Sequence, residues 1–151
     1  MKIVAGNLVT LALAGNYDLI MQGCNCMNQM GKGIALTIKN TWPEVYQADL
    51  ATVKGDKTKL GTYTKAVVDI NGKPLVVVNC YTQYNYNYEG VLVDYTAVQQ
   101  VMTKIKQDYS GLKMAMPLIG AGLAKGDWSI LSPIIETALE GEDLTLVVLP
   151  Q

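Results

Sequence analysis

Two segments of this chain carry residue types suited to holding an anion. The first is Gly23-Cys-Asn-Cys-Met-Asn-Gln-Met-Gly-Lys-Gly-Ile-Ala35. Gly31 and Gly33 let backbone approach a ligand closely, and Lys32 adds a charge where a helix begins. It is not a Walker A loop: the position five residues before Gly31 is Cys26, and no Ser or Thr follows Lys32. Alone, it reads equally well as a sharp turn whose glycines serve packing. The second is Pro117-Leu-Ile-Gly-Ala-Gly-Leu-Ala-Lys-Gly-Asp-Trp128. A dinucleotide fingerprint needs its third glycine one residue earlier than Gly126, and this motif lies late in the chain, so a standard Rossmann reading fails. A glycine loop feeding a helix still makes an anion cradle. Asp127 suits an N-cap, or alternatively a carboxylate set beside bound phosphate or ribose to orient a water. A third segment, Tyr81-Thr-Gln-Tyr-Asn-Tyr-Asn-Tyr88, offers tyrosines and amides that could stack on a base, or a plain polar loop.

Composition narrows the chemistry. The sequence has no histidine, and all twelve of its basic residues are lysine. Imidazole bases and Ser–His or Cys–His pairs are excluded, and so is a bidentate guanidinium grip on phosphate. An anion must therefore be held by backbone N–H groups, helix N-termini, amides and lysine. Three cysteines without histidine make a poor zinc set, so neither metal nor cofactor is expected. Cys24-x-Cys26 reads as a pair of ordinary loop thiols. With a net charge of −1 and a pI near 5.3, the chain lacks the basic surplus of a nucleic-acid binder.

The positioning elements follow from hydrophobic patterning. Lys2–Ala5 and Val9–Leu13 read as short strands about the turn Gly6-Asn7, and Asp18–Gln22 as a third strand before a polar loop over Gly23–Met30. Gly31–Asn40 has helical spacing, and Pro43 opens a helix to about Val53. Thr62–Ile70 and Leu75–Cys80 flank the hairpin signal Asn71-Gly72, the latter strand apolar enough to be buried and central. Asp94–Tyr109 is a helix, Lys113–Leu118 a strand, Asp127–Leu139 a helix and Leu144–Leu149 the last strand. This alternation predicts one α/β domain over residues 1–151 with a mixed sheet. Both glycine loops leave strand ends, where ligand clefts of α/β sheets lie. An odd cysteine count, an N-terminus without a long apolar stretch, and no membrane-length run point to a cytoplasmic protein that makes no membrane contact.

Taken together, residues 23–35 and 117–128 resemble the macrodomain family, nearest the branch of ADP-ribose-1″-phosphate phosphatases and the terminal ADP-ribose protein glycohydrolase. The order of elements agrees over nearly the whole chain. The resemblance implies a three-layer α/β/α sandwich with a central mixed sheet, binding ADP-ribose or a related NAD-derived nucleotide. It implies that Asn25–Ile34 lies by the distal ribose, with Asn28, Met30, Gly31, Lys32, Gly33 and Ile34 in contact. Pro117 and Ile119 to Leu123, including Gly120, Ala121 and Gly122, would wrap the diphosphate, and Thr82 and Tyr84 would also face the ligand.

Asn7 and Leu8 fall where the family has Gly-Asp-Leu/Ile, whose acid contacts adenine; an amide there accepts a hydrogen bond without the carboxylate's charge. Where the glycohydrolase carries a lysine and an aspartate, this chain has Gln83 and Ala124, which argues against covalent lysine chemistry. Gly126-Asp127-Trp128 matches the phosphatase-like branch. The implied reaction is therefore hydrolysis of ADP-ribose-1″-phosphate or a terminal ADP-ribosyl ester. Asp127 would orient water, and Asn25 and Gln83 would position the terminal group. The competing expectation is a binder or sponge without turnover, as suits the small family members of bacteria and phages. RNA binding through the tyrosine segment is the weakest reading, because stacking platforms come with basic grooves.

Overall fold

The computed structural model describes residues 1–87, 90–122 and 124–150. Six strands form one sheet: β1 (Lys2–Ala5), β2 (Leu19–Asn25), β3 (Tyr63–Ile70), β4 (Lys73–Gln83), β5 (Lys113–Met116) and β6 (Asp143–Val148). Their spatial order is β1-β6-β5-β2-β4-β3, with every neighbouring pair parallel except the β3–β4 hairpin. The helices are α1 (Leu8–Leu13), α2 (Gly33–Thr41), α3 (Pro43–Leu50), α4 (Tyr95–Tyr109) and α5 (Trp128–Ala138), with a single 3-10 turn at Lys57–Lys59. No described helix is long and apolar enough to cross a membrane.

Side-chain alternation along each strand divides the core into two layers. Leu19 and Met21 of β2 point toward α4 and α5, joining Val98, Met102, Ile105, Leu131 and Ile135 in one buried cluster. Ile20, between them, points the other way and packs with Leu8, Ile38, Trp42 and Val45 from α1, α2 and α3. Strands buried on both faces need no polar alternation, which is why β2 and β4 read as near-continuous apolar runs. The expected α/β/α sandwich with a mixed sheet is the observed architecture.

One element differs in type from its expectation. Val9–Leu13 is helical, within α1. Its residues alternate in the sequence, but Leu8, Val9 and Ala12 are the ones buried, at helical spacing, and Asn7 caps the helix by accepting a 3.0 Å bond from the Thr10 amide. Two strands also run further than expected. β2 continues to Asn25, and β4 continues to Gln83, so Tyr81 and Thr82 lie in a strand rather than a loop. Within α5, Pro133 is accommodated in the second turn.

Between β4 and α3 the core is polar. Asp49, only 1% exposed, accepts a 2.7 Å bond from the Tyr81 hydroxyl, and Tyr81 in turn meets Thr64 at 2.9 Å. Asn79 donates to Val45 and Thr64 and accepts from Gln22. Burial pushes the Asp49 carboxyl above its ordinary range, against the pull of the Tyr81 hydrogen bond and Lys59. A carboxyl whose folded pKa is raised holds its proton longer in the native state. Its contribution to stability therefore falls as pH rises from about 4 through the folded value.

Asp49→Asn keeps an acceptor for Tyr81 and removes that slope. The stability of the variant relative to wild type is expected to grow between pH 4 and neutrality in urea titrations. In the opposite layer, Ile105→Ala is expected to cost about 2–5 kcal/mol in the same measurement, since Ile105 is fully buried.

Candidate functional site

Where β2, β4, β5 and β6 end, the chain leaves a cleft of about 680 Å³, within the roughly 300–1,000 Å³ of small-molecule sites. Four segments wall it. The first runs along Gly23–Asn25, Gln29 and Gly31–Ala35; the second is Pro117–Gly120 with Gly122 and Ala124; the third is Val147–Leu149; the fourth comprises Gln83, Tyr86 and Leu92. Both glycine segments thus converge on one space. Lys32 is the only lysine or carboxylate-class residue among the described wall residues.

The first wall is built from a tight turn. Asn25 ends β2 at a register shift and pairs across the ladder with Gln83. Its Oδ1 accepts from the Met27 amide at 2.9 Å and the Gln29 amide at 3.4 Å, while its Nδ2 donates to the Gln29 carbonyl at 2.9 Å. Lys32 then caps α2 without a side-chain bond. The amides of Gly33, Ile34 and Ala35 have no acceptor among the described residues, and all three residues face the cleft. That is the unsatisfied, partially positive end of a nine-residue helix.

The second wall closes on itself. The Gly126 amide donates to the Gly120 carbonyl at 2.6 Å, and the Lys125 amide to Gly122 at 3.0 Å. Gly120 takes a left-handed φ of +77°. At Gly126, a methyl group would collide with the Gly120 carbonyl and reach within 2.5 Å of Val93 Cγ1. Gly31 and Gly122 are different: nothing lies within 4 Å of where their side chains would point. The amides of Gly120 and Gly122 find no acceptor among the described residues. Two of the loop glycines therefore serve packing, and two leave the cleft open.

The expected site residues divide accordingly. Asn25, Gly31, Lys32, Gly33, Ile34, Gln83, Pro117, Ile119, Gly120 and Gly122 line the cleft. Asn7, Leu8, Asn28, Met30, Thr82, Tyr84 and Ala121 are not on its walls. Asn7 is occupied as a cap, and Leu8 and Met30 are core residues. Thr82 is wholly buried with its hydroxyl unpartnered, and Tyr84 turns away to donate to the Gly55 carbonyl at 2.9 Å. Leu123 and Tyr88 lie outside the described residues.

Among the described tyrosines of the third segment, Tyr81 is buried and Tyr86, 48% exposed, reaches the cleft. Asp127 is also off the walls. It caps α5, its Oδ1 accepting from the Ser129 amide at 2.9 Å and hydroxyl at 2.6 Å, and those bonds hold its carboxyl below the usual range.

Tyr86 belongs to the segment whose tyrosines could stack on a base; wall residues without an expected ligand role include Cys24, Gln29, Ala35, Leu92, Leu118 and Val147–Leu149. The last three could have been found only by knowing that β6 inserts between β1 and β5. Cys24 is an inert wall: burial, with Asp49 adding to it, holds its thiol well above the ordinary range. Among the described residues no group of three or more metal-ligating side chains is assembled. What the arrangement can do is hold an anion by main-chain donors beside an apolar surface.

The two classes of glycine separate in thermal melts. Gly126→Ala is expected to lower Tm by several degrees, and Gly31→Ala to leave it within a degree or so, as for changes that meet no neighbour.

No protein-family model matches the chain. A protein of Enterobacteria phage T4, described as an uncharacterized 17.5 kDa protein in the tk-vs intergenic region, is 32% identical over 152 residues, 97% of this chain and 94% of the phage protein. A DNA ADP-ribosyl glycohydrolase of Mycobacterium tuberculosis is 24% identical over 140 residues, 91% of this chain but 40% of the glycohydrolase. Among solved structures, the macrodomain of Thermus aquaticus DarG superposes with a TM-score of 0.74 at 22% identity, over 99% of this chain and 97% of that one. Thermosipho africanus DarTG in complex with ADP-ribose superposes at 0.71 and 21% identity, over 98% of this chain and 41% of that one. The 32% identity to the phage protein over nearly all of both chains and the fold held in common with the DarG macrodomains agree with the two glycine segments converging on one cleft: the chain belongs to the macrodomain family.

Proposed function

We propose that the cleft binds ADP-ribose or a closely related NAD-derived nucleotide. The observation that carries this reading is the set of main-chain N–H groups left without an acceptor on two loops, those of Gly33, Ile34 and Ala35 and those of Gly120 and Gly122, around a space with no carboxylate on its described walls. A diphosphate meets donors and one cation there, and no repelling charge. The apolar wall residues Ile34, Ala35, Val147 and Leu149 suit a flat base, and the polar Asn25 and Gln83 suit a ribose. The solved DarTG complex with ADP-ribose, on the same fold, supports the choice of ligand.

The geometry supports binding ahead of turnover. The phosphatase or ester hydrolase reading needs a base to prepare water. Asp127, the residue expected in that role, is engaged by Ser129 and stands off the cleft walls. One observation favours hydrolysis all the same: Asn25 and Gln83, opposite each other in the backbone ladder, both line the cleft, in a chain similar to a DNA ADP-ribosyl glycohydrolase.

A ligand panel separates the two readings. ADP-ribose is expected to raise Tm in proportion to the logarithm of its concentration once past saturation. Gly122→Glu, which adds bulk and negative charge where no protein atom stands in the way, is expected to keep the wild-type Tm and lose at least tenfold in affinity. Phosphorus NMR of ADP-ribose-1″-phosphate with the protein is expected to show the ligand unchanged after long incubation. Phosphate release abolished by Asp127→Ala would overturn the binding-only reading, and no shift with any ADP-ribose derivative would overturn both.

A further inference from the structure

Alone among the lysines, Lys59 is buried, at 7% exposure. It ends the 3-10 turn that Asp56 caps, and its side chain runs inward toward the Tyr81 ring, 5.3 Å from Nζ to the centroid. Among the described residues no carboxylate forms an ion pair with it. Its partners are neutral: Nζ donates to Asn28 Oδ1 at 2.8 Å and to Thr52 Oγ1 at 2.9 Å. A buried cation with no carboxylate in contact, and only a longer-range attraction from Asp49 and Asp56, is costly, and well-packed apolar residues would stabilise such a position better. Core stability alone therefore does not account for this lysine.

Its main partner does. Asn28 holds a left-handed φ of +56°, a conformation that side chains rarely adopt. It is fixed there from every side. Its Nδ2 donates to the Thr52 carbonyl at 3.2 Å, and its Oδ1 takes bonds from Lys59 and, at 3.2 Å, from Thr52 Oγ1. Its own carbonyl accepts from the Tyr46 hydroxyl at 3.0 Å. Asn28 does not touch the cleft. It sits within the turn in which Asn25 Oδ1 collects the Met27 and Gln29 amides, and whose Asn25 and Gln29 form the cleft wall just before Gly31–Gly33.

We propose that Lys59 is a positioning residue for the ligand cleft. Acting through Asn28, it locks the Asn25–Gln29 turn from behind, so that this wall stands formed before a ligand arrives. A wall ordered in advance spares the ligand the entropy of ordering it, and affinity rises without any contact to Lys59. The consequence for affinity rests on the ADP-ribose reading above; the locking of the turn does not.

The test compares wild type with Lys59→Met, which keeps the aliphatic stem and removes the ammonium. In the unliganded protein, NMR hydrogen exchange at the Met27 and Gln29 amides is expected to be at least tenfold faster, with the β5 amides slowed or quickened no more than global stability requires. ADP-ribose affinity by calorimetry is expected to fall about tenfold. Ile135→Val, a core change on the far side of the sheet, serves as a control for lost stability and is expected to leave affinity unchanged.

Asn28→Gly keeps the left-handed turn but removes the acceptor, and it gives the same two readouts if Lys59→Met does not fold. The losses from the two changes are expected not to add when both variants are combined. Unaltered exchange at Met27 and Gln29, or an affinity loss no larger than that of Ile135→Val, overturns the proposal. If wild type binds no ADP-ribose yet the exchange result holds, the ligand reading fails and the positioning role stands.

Discussion

The parallel ladder between β2 and β4 determines nearly everything about this molecule. From Leu19↔Val76 to Cys24↔Tyr81 the two strands keep register, and then the ladder shifts, so that Asn25 faces Gln83. A parallel pair needs a crossover connection, and here α2, α3 and the β3 hairpin strand lie between the two strands in sequence. The Asn25–Lys32 turn that opens this crossover leaves the same end of the sheet as the Pro117–Gly126 loop, which follows β5 on the other side of β2. Neither glycine segment could face the other if β2 were not flanked by both β4 and β5.

Given that frame, the chemistry of the cleft follows from what the sequence lacks. Without arginine, charge cannot be brought to a phosphate on a planar fork, and a single lysine is the only cation on the described walls. The donors are instead amides left over where a helix starts and where a loop doubles back. The acidic side chains of the same region are turned to structural work: Asp94 caps α4 and Asp127 caps α5. Capping and catalysis draw on the same oxygen atoms, and at Asp127 both bonds to Oδ1 come from Ser129.

Much of the architecture was legible because strands buried on both faces and helices buried on one have distinct patterns. α4, with Val98, Val101, Met102 and Ile105 on one face, is the clear case. α1 was misread because six residues make fewer than two turns, too few for 3.6-residue periodicity to separate from alternation. Thr82 and Tyr84 were placed at the ligand because a Tyr- and Asn-rich run looks like a loop; β4 instead continues to Gln83, and Thr82, passed over where the ladder shifts, is buried. Asn28 looked like a ligand contact, yet its side chain faces away from the cleft to Thr52 and Lys59. Such tertiary partners, 24 and 31 residues distant, leave no local mark in the sequence. The Val147–Leu149 wall was invisible for a related reason, since strand order is not written in any one segment.

A grip made of main chain has an unusual relation to mutation. Every residue brings the same N–H, so replacing a side chain along Gly33–Ala35 or Gly120–Gly122 does not delete a donor unless proline is introduced. Sites that depend on an arginine or a histidine are lost by subtraction, through any of many exchanges. This one is open to loss chiefly by addition, when bulk appears at a position kept bare or when the backbone conformation shifts. Such a cleft can tolerate wide sequence drift without losing its main-chain donors, which is consistent with this chain sharing its fold with structures only 21–22% identical to it.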